Sequence, residues 1–262
     1  MHSTPGRRTK EVEDTLDDVA RHLRESRRVL FVTGAGVSAD SGLPTYRGVG
    51  GLYEGGATQG GLPIETLLSR GMFSREPGLV WQYLADREKE WRLARPNACH
   101  RFINWLEHRV EKVLVLTQNI DGLHGRAGSS QVIDIHGNLL DLVCTGCQKK
   151  RTVTSYRGLQ LPPRCLGCSA IERPEVVLFG EELPERKLKR FLDELFSGFD
   201  LVISIGTSGT FPYIRAPMIR AKVYGWPSVD INPISNKMTP YARYHLTLGA
   251  AEACELLRQR LS

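Results

Sequence analysis

The chain has 262 residues, 41% of them hydrophobic and 24% charged, with a formal net charge of +6. That length exceeds a single core of roughly 100–150 residues and implies one large domain carrying an insertion, with the composition of a globular enzyme. No apolar run approaches the roughly 18 residues of a membrane span, the start MHSTPGRRTKEVEDTLDD lacks the core of a signal peptide, and the mild basicity reads as a solvated surface, so the cytoplasm is expected and neither membrane nor nucleic acid is an expected partner.

Residues 11–26 space Val12, Leu16, Val19 and Leu23 on one helical face. RRVLFVT then reads as a buried parallel strand that ends at glycine. Further apolar strands are expected at KVLVLT (112–117), QVIDI (131–135), LVISI (201–205) and PSVDI (227–231), each ending at polar or glycine-rich residues. Strands alternating with helical stretches predict an α/β fold with a doubly wound parallel sheet, whose ligands collect at the carboxyl ends of the strands. Two segments interrupt this pattern. Residues 49–110 begin glycine-rich and continue with helical periodicity (GLVWQYLADREKEWRL); residues 139–181 carry four cysteines, Pro162 and Pro163, and are expected to have little sheet character. Both read as insertions forming a smaller lobe. The expected division is therefore a Rossmann-like domain from 1–48, 111–138 and 182–262, a loop and helical module at 49–110, and a metal-binding module at 139–181. Residues 250–261 close the chain as an amphipathic helix.

Gly34, Gly36 and Ala39 fit the G-x-G-x-x-G/A pattern between a strand and a helical segment, where glycines allow backbone amides to approach a pyrophosphate. A dehydrogenase also needs an acidic residue about 20 positions on at the end of a second strand; TYRGVGGLYEGG has no preceding strand, which argues against hydride transfer. Cys144 and Cys147 form one C-x2-C pair and Cys165 and Cys168 another, 17 residues apart, the spacing of a tetrahedral zinc site. Four thiolates leave zinc no open position, so the site is expected to be structural. Cys99 and Cys254 are expected to be small core residues. TQNIDGLH (117–124) places Gln118, Asn119 and Asp121 at a strand end, with amide and carboxylate groups suited to ribose hydroxyls and a carboxamide. His136, in IHGN at the next strand end, is a candidate base near neutral pH.

GAGVSADSGLPTYRG, TQNIDGLH, HGN, the two cysteine pairs, RPEVVLFGE and GTSG stand in the order and spacing of the sirtuins, and from about residue 28 onward the chain resembles that family of NAD-dependent protein-lysine deacylases. The resemblance implies a Rossmann-like domain with a smaller lobe made of a helical and a zinc module. It implies that an acyl-lysine carbonyl oxygen attacks C1′ of the nicotinamide ribose, that nicotinamide leaves, and that His136 then takes a proton through the ribose hydroxyls. Gly34, Ala35, Gly36 and Ser38 belong to the family's phosphate turn; Tyr46, where phenylalanine is commoner, and Arg47 to its mobile cofactor loop. Gln118, Asn119, Ile120 and Asp121 would hold ribose and nicotinamide, and Gly206, Thr207, Ser208, Asn232 and Ala250 the rest of the cofactor. A substrate peptide would add as a strand along Val176, Val177, Phe179, Gly180 and Glu181. Members that prefer succinyl- or malonyl-lysine resemble one another in a tyrosine followed three residues later by arginine. In VWQYLADREKE, Arg87 falls at the arginine but Leu84 at the tyrosine, and Tyr83 is turned by about 100° and expected to face elsewhere. Acetyl-lysine is therefore the expected substrate. Two other readings share these residues: mono-ADP-ribosyl transfer with the same cofactor cleavage, and a zinc-knuckle module that senses NAD without catalysis.

Overall fold

The computed structural model describes residues 9–45 and 61–262; Tyr46, Arg47 and the glycine-rich stretch through residue 60 lie outside the described residues. In chain order the strands are β1 (Arg28–Thr33), β2 (Lys112–Thr117), β3 (Val132–Asp134), β4 (Gly137–Cys144), β5 (Lys150–Thr152), β6 (Glu172–Val176), β7 (Leu201–Ile205), β8 (Ser228–Ile231) and β9 (Tyr244–Leu246). The helices are α1 (Lys10–Glu25), α2 (Gly36–Ala39), α3 (Ile64–Leu67), α4 (Arg70–Arg75), α5 (Pro77–Leu93), α6 (Ala98–Glu107), α7 (Leu123–Arg126), α8 (Glu185–Ser197), α9 (Pro212–Tyr224) and α10 (Ala250–Leu261).

Six strands form one sheet in the order β3-β2-β1-β7-β8-β9, with every neighbouring pair parallel. The apolar runs of the central strands are continuous because both of their faces are covered. Val29 and Phe31 of β1 and Val113 and Val115 of β2 share a core with Leu16 of α1, Phe102 of α6 and Leu257 of α10. The alternate residues Leu30, Val32, Leu114 and Leu116 share another with Phe191 of α8 and Met218 of α9. Each side chain switches face with the strand period of two. The chain runs outward from β1 through β2 and β3 on one side, and from β7 through β8 and β9 on the other. The winding reverses between β1 and β7, so the crevice expected for ligands opens beyond the carboxyl ends of those two strands. Cys99 and Cys254 are fully buried in the first core, as small residues.

The second lobe corrects one expectation. The cysteine-bearing segment has a three-stranded antiparallel sheet, β5-β4-β6, where little sheet character is expected. The strand signal is weak there because β5 is exposed at all three of its positions and the β4–β6 register shifts between Asn138 and Leu142. Pro162 and Pro163 lie in the connection before β6 rather than in a strand. The lobe has one shared core: Trp81 and Leu84 of α5 pack with Leu142 of β4, Tyr156 and Val176 of β6. The Trp81 indole donates to the Glu172 carbonyl at 2.8 Å, joining the helical insertion to the small sheet.

Candidate active site

At the switch point three glycines meet backbone to backbone. Gly206, after β7, has φ +60°, and a Cβ there would lie 2.5 Å from Gly36 C and from Val37 N. A Cβ on Gly36 would lie 2.6 Å from Gly206 Cα, and one on Gly34 would lie 2.8 Å from the Gly206 carbonyl oxygen. The Gly36 amide donates to that oxygen at 2.8 Å, and the Gly34 amide to the Ile205 carbonyl at 3.2 Å. The glycines thus let the turn after β1 lock onto the turn after β7. Ala35 sits between them as the residue preceding α2.

Asn119, buried, ties the segment after β2 to this turn: its Nδ2 donates to the Gly34 carbonyl at 3.0 Å and to Ser38 Oγ at 3.2 Å. Ser38 donates in turn to Asp121 Oδ2 at 2.7 Å, while Asp121 Oδ1 accepts from the Leu123 amide at 2.9 Å. Burial raises the Asp121 carboxyl above its ordinary pKa, against the lowering effect of the Leu123 amide and the Ser38 hydroxyl. Gln118 donates to Thr207 Oγ1 at 2.7 Å, and the Thr207 carbonyl accepts from Asn232 Nδ2 at 3.3 Å, so these residues form one band across the strand ends. Ser208 pairs its hydroxyl with Thr210 at 2.9 Å. The Ile120 carbonyl accepts from the Leu139 amide at 3.1 Å, and its side chain packs on the small lobe. Ala250 opens α10 and is buried; beside it the Ala251 amide donates to Asp40 at 3.0 Å.

His136 stands between β3 and β4. Its Nδ1 lies 3.1 Å from the Gln118 carbonyl, which only accepts, so Nδ1 carries the proton and Nε2 the lone pair. Burial pushes the imidazole down to about 4, against the raising effect of the Gln118 carbonyl. Neutral at physiological pH, it is a base whose reactive atom is Nε2.

The expected peptide edge lies alongside. β6 is an edge strand; its last residue, Val176, pairs with Gly137, and the Val177 amide donates to the His136 carbonyl at 2.8 Å. The Phe179 amide donates to the Leu68 carbonyl at 2.9 Å, and its carbonyl accepts from the Arg70 amide at 3.0 Å. Gly180, at φ +82°, turns the chain, and Glu181 takes Arg173 Nη1 at 2.5 Å and the Leu178 amide at 2.9 Å. A cavity of about 360 Å³ lies along this edge, lined by Val176, Val177 and Glu181 among others. Arg87 belongs to a different neighbourhood: it pairs with Glu90 at 2.9 Å and lies 5.6 Å over the ring of Tyr83. Tyr83 therefore shares the face of Arg87, contrary to expectation, because residues four apart on a helix are neighbours. Leu84 is buried in the small-lobe core.

Cys144 and Cys168 bring their sulfurs to 3.4 Å, Cys147 and Cys165 to 3.6 Å, and all four lie within 4.8 Å of one another. Those separations bracket the roughly 3.8 Å edge of a tetrahedron with Zn–S bonds of about 2.3 Å. The Gly146 and Cys147 amides donate to Cys144 Sγ at 3.3 and 3.4 Å, and the Gly167 amide to Cys165 Sγ at 3.4 Å, an arrangement that stabilises thiolates. The donor set suits one zinc ion held for structure.

Several partners of the site escape sequence reading. Asn97 caps α6 and donates from Nδ2 to the Val37 carbonyl at 2.7 Å and to Ser41 at 3.0 Å, holding α2 from behind. Thr33 Oγ1 lies 3.0 Å from His124 Nε2. Tyr213, at the start of α9, brings its hydroxyl to 2.6 Å from His136 Nε2. Only Asn97 carries a local signal, the helix-capping position after Pro96.

A family model described as "Sir2 family" matches residues 34–212. The "NAD-dependent protein deacylase 2" of Pseudomonas aeruginosa is 48% identical over 218 residues, covering 82% of this chain and 85% of that one. Among solved structures, a Sir2 homologue in complex with NAD superposes with a TM-score of 0.84 at 36% identity, covering 100% of this chain and 98% of that one. A Sir2 protein with a deacetylated p53 peptide and 3′-O-acetyl ADP-ribose superposes with a TM-score of 0.81 at 28% identity, covering 93% and 97%. With the glycine lock, the asparagine and aspartate after β2, the histidine after β3 and the four-cysteine cluster in their places, the chain belongs to the Sir2 family.

Proposed function

We propose that this chain is an NAD-dependent protein-lysine deacylase, with acetyl-lysine as the preferred substrate. The observation that carries this reading is His136: a neutral imidazole with a defined reactive nitrogen, held by the carbonyl of Gln118 in the band across the strand ends and joined through its own carbonyl to the Val177 amide just past β6. NAD as cosubstrate supplies an electrophilic ribose carbon with nicotinamide as its leaving group. The turn Gly34–Ala35–Gly36 with Ser38 would receive the phosphates, and Asn119, Asp121, Gln118 and Ile120 the nicotinamide ribose and its ring. Thr207, Ser208 and Asn232 would extend this surface toward the other end of the cofactor, with Gly206 and Ala250 completing its contacts. Arg47 and Tyr46 would close over the sugar. Nε2 of His136 takes the proton that must leave a ribose hydroxyl before the acyl group can transfer. The acyl-lysine protein or peptide would lie along Val176, Val177 and Phe179, pairing with the main-chain groups that His136, Leu68 and Arg70 leave unused, a mode that tolerates many sequences. Zinc on the four cysteines does no chemistry and holds the small sheet. The same division of labour assigns 49–110 to cofactor closure and helical packing and 139–181 to metal binding, around a Rossmann-like remainder. None of the described helices is long and apolar enough to cross a membrane, and we place the chain in the cytoplasm, where paired cysteines serve metals rather than disulfides.

Incubation with NAD and an acetyl-lysine peptide tests the reading, with free nicotinamide and deacetylated peptide measured together. Equal amounts of both are expected. His136→Ala should lower turnover by about 10²-fold or more while NAD binding persists. Nicotinamide release with ADP-ribosylated protein and no deacetylated peptide would replace deacylation with mono-ADP-ribosyl transfer; NAD binding without turnover would leave a sensing module.

A further inference from the structure

The lone pair of His136 that the reaction needs is already occupied. Tyr213 Oη lies 2.6 Å from Nε2, a short hydrogen bond, and since Nδ1 holds the ring proton the phenol is the donor. Burial pushes the Tyr213 phenol up to about 12, so it keeps its proton across the working range. The imidazole is also covered. The rings of Phe211 and Tyr213 stack at 5.5 Å with an interplanar angle of 15°, and both stand nearly perpendicular to His136, at 83° and 85°. Phe211 and Tyr213 flank Pro212, the first residue of α9, so one short stretch supplies the hydroxyl and both rings. Tyr213 and His136 are 77 residues apart, and no secondary-structure rule brings them together.

We propose that Tyr213 is a latch on the catalytic base: its hydroxyl holds the Nε2 lone pair in the free enzyme and must be displaced before Nε2 can accept a proton from a ribose hydroxyl. The latch rests on the role given to His136 above. No bond is made or broken by Tyr213; its O–H exchanges one acceptor for another as the side chain turns about its χ angles. The stacked Phe211 gives the displaced ring a surface to slide over. Displacement costs one hydrogen bond, and the free enzyme gains a base that is shielded and fixed in one tautomer until the site fills. The influences on His136 are burial and the Gln118 carbonyl, none of them a charged side chain, so the phenol is the only titratable group among the described residues that hydrogen-bonds the ring.

Tyr213→Phe removes the hydroxyl and keeps the stack. Two measurements are needed so that failure of the latch and failure of the deacylase reading can be told apart. The first is NMR titration of the His136 imidazole in the free protein, assigned by comparison with His136→Ala, which requires no activity. A donor on Nε2 disfavours protonation, so its loss should raise the His136 pKa by roughly half to one pH unit. The second is kcat/KM for an acetyl-lysine peptide with saturating NAD, expected to rise about two- to tenfold as the competing hydrogen bond disappears. An unchanged His136 titration would overturn the latch whatever the kinetics. A tenfold fall in kcat/KM would also overturn it and make the hydroxyl part of the proton path. A shifted titration in a protein whose wild type releases no nicotinamide would leave the contact established and reject the deacylase.

Discussion

The glycines of the first turn carry a second constraint besides phosphate approach, one visible only in three dimensions. Gly206 is left-handed, and its missing Cβ leaves the space that the Gly36 and Val37 backbone fills at 2.5 Å. A methyl group there meets the main chain at the start of α2, which cannot rotate away. Gly206→Ala should therefore lose more than the roughly 1–2 kcal/mol of a strained left-handed alanine and should weaken NAD binding in parallel. Calorimetric unfolding and NAD titration check both; a variant of wild-type stability would show that the two turns need not touch. His136 gives a prediction of the opposite kind, in which burial tunes rather than forbids. With its pKa lowered to about 4, the imidazole is the neutral base well below the pH at which a free histidine would protonate. The acid limb of kcat/KM that belongs to this residue should accordingly lie near pH 4 rather than near 6.5, and should vanish in His136→Ala. Histidine at a strand end was legible as a base because its neighbours in sequence are strand-end residues too. Tyr213 was not, because its relation to His136 exists only once β7 and β3 lie in one sheet.

Among the elements, legibility followed burial. β1, β2, β7 and β8 read as strands because each is buried over almost its whole length and so is apolar without interruption. β9 has three residues, and β5 exposes every side chain, so neither leaves a hydrophobic period to find. The small sheet is instead organised by chemistry that reads plainly, the two cysteine pairs, and its strands are what those pairs hold in register. Arg151 of β5 shares its Nε hydrogen between the two carboxylate oxygens of the buried Glu172 of β6 at 3.0 Å and donates from Nη2 at 2.5 Å, with β4 between them. Cys165→Ala should release the metal, and because Glu172 also anchors Trp81 of α5 the damage should spread into the helical insertion. Zinc content by elemental analysis should fall from one ion per chain to near zero, with the Trp81 fluorescence environment changing alongside. A zinc-free protein of full activity would reject the structural role. Acyl preference also lives on an element. On α5 the Arg87 guanidinium pairs through Nη2 with Glu90 and lies over the ring of Tyr83, so a succinyl carboxylate would compete with Glu90 for its charge. kcat/KM should favour acetyl over succinyl peptides by roughly tenfold or more, the scale of one hydrogen bond to a charged group.

At the scale of the molecule, the two lobes are joined through the short helix α7, and the joint is built on histidines. Leu123 belongs to the small-lobe core, His124 reaches Thr33 at the end of β1, and Arg126 donates to the Ala94 carbonyl at 2.7 Å, just past α5. The His124 ring lies 4.8 Å from that of His100 on α6, both are buried, and one nitrogen of each has no hydrogen-bond partner. Burial lowers His100 to about 4 and His124 to about 3, each with a smaller push from a neighbouring group. An unfolded histidine titrates near 6.5, so between that pH and the folded values the unfolded chain binds more protons than the native one. Stability contributed by these neutral imidazoles is complete above about pH 6.5 and is lost as the pH falls toward 4. By pH 5 the linkage amounts to on the order of 2 kcal/mol for each of the two rings. Asp121 and Asp230, both shifted upward by burial, work in the other direction, since acid relieves the cost of their buried charge; that relief becomes complete only as the pH reaches the carboxylate range. With His136, also lowered to about 4, three such rings oppose the two carboxyls between pH 7.5 and 5, and the net change we predict is destabilising. We expect the denaturant midpoint to drop over that interval, and His124→Leu, though less stable at pH 7.5 for want of its Thr33 contact, to show a smaller drop. A drop in His124→Leu as large as that of the wild type would mean that the joint is hydrated enough to accept protons, and that acid does not loosen one lobe from the other through α7.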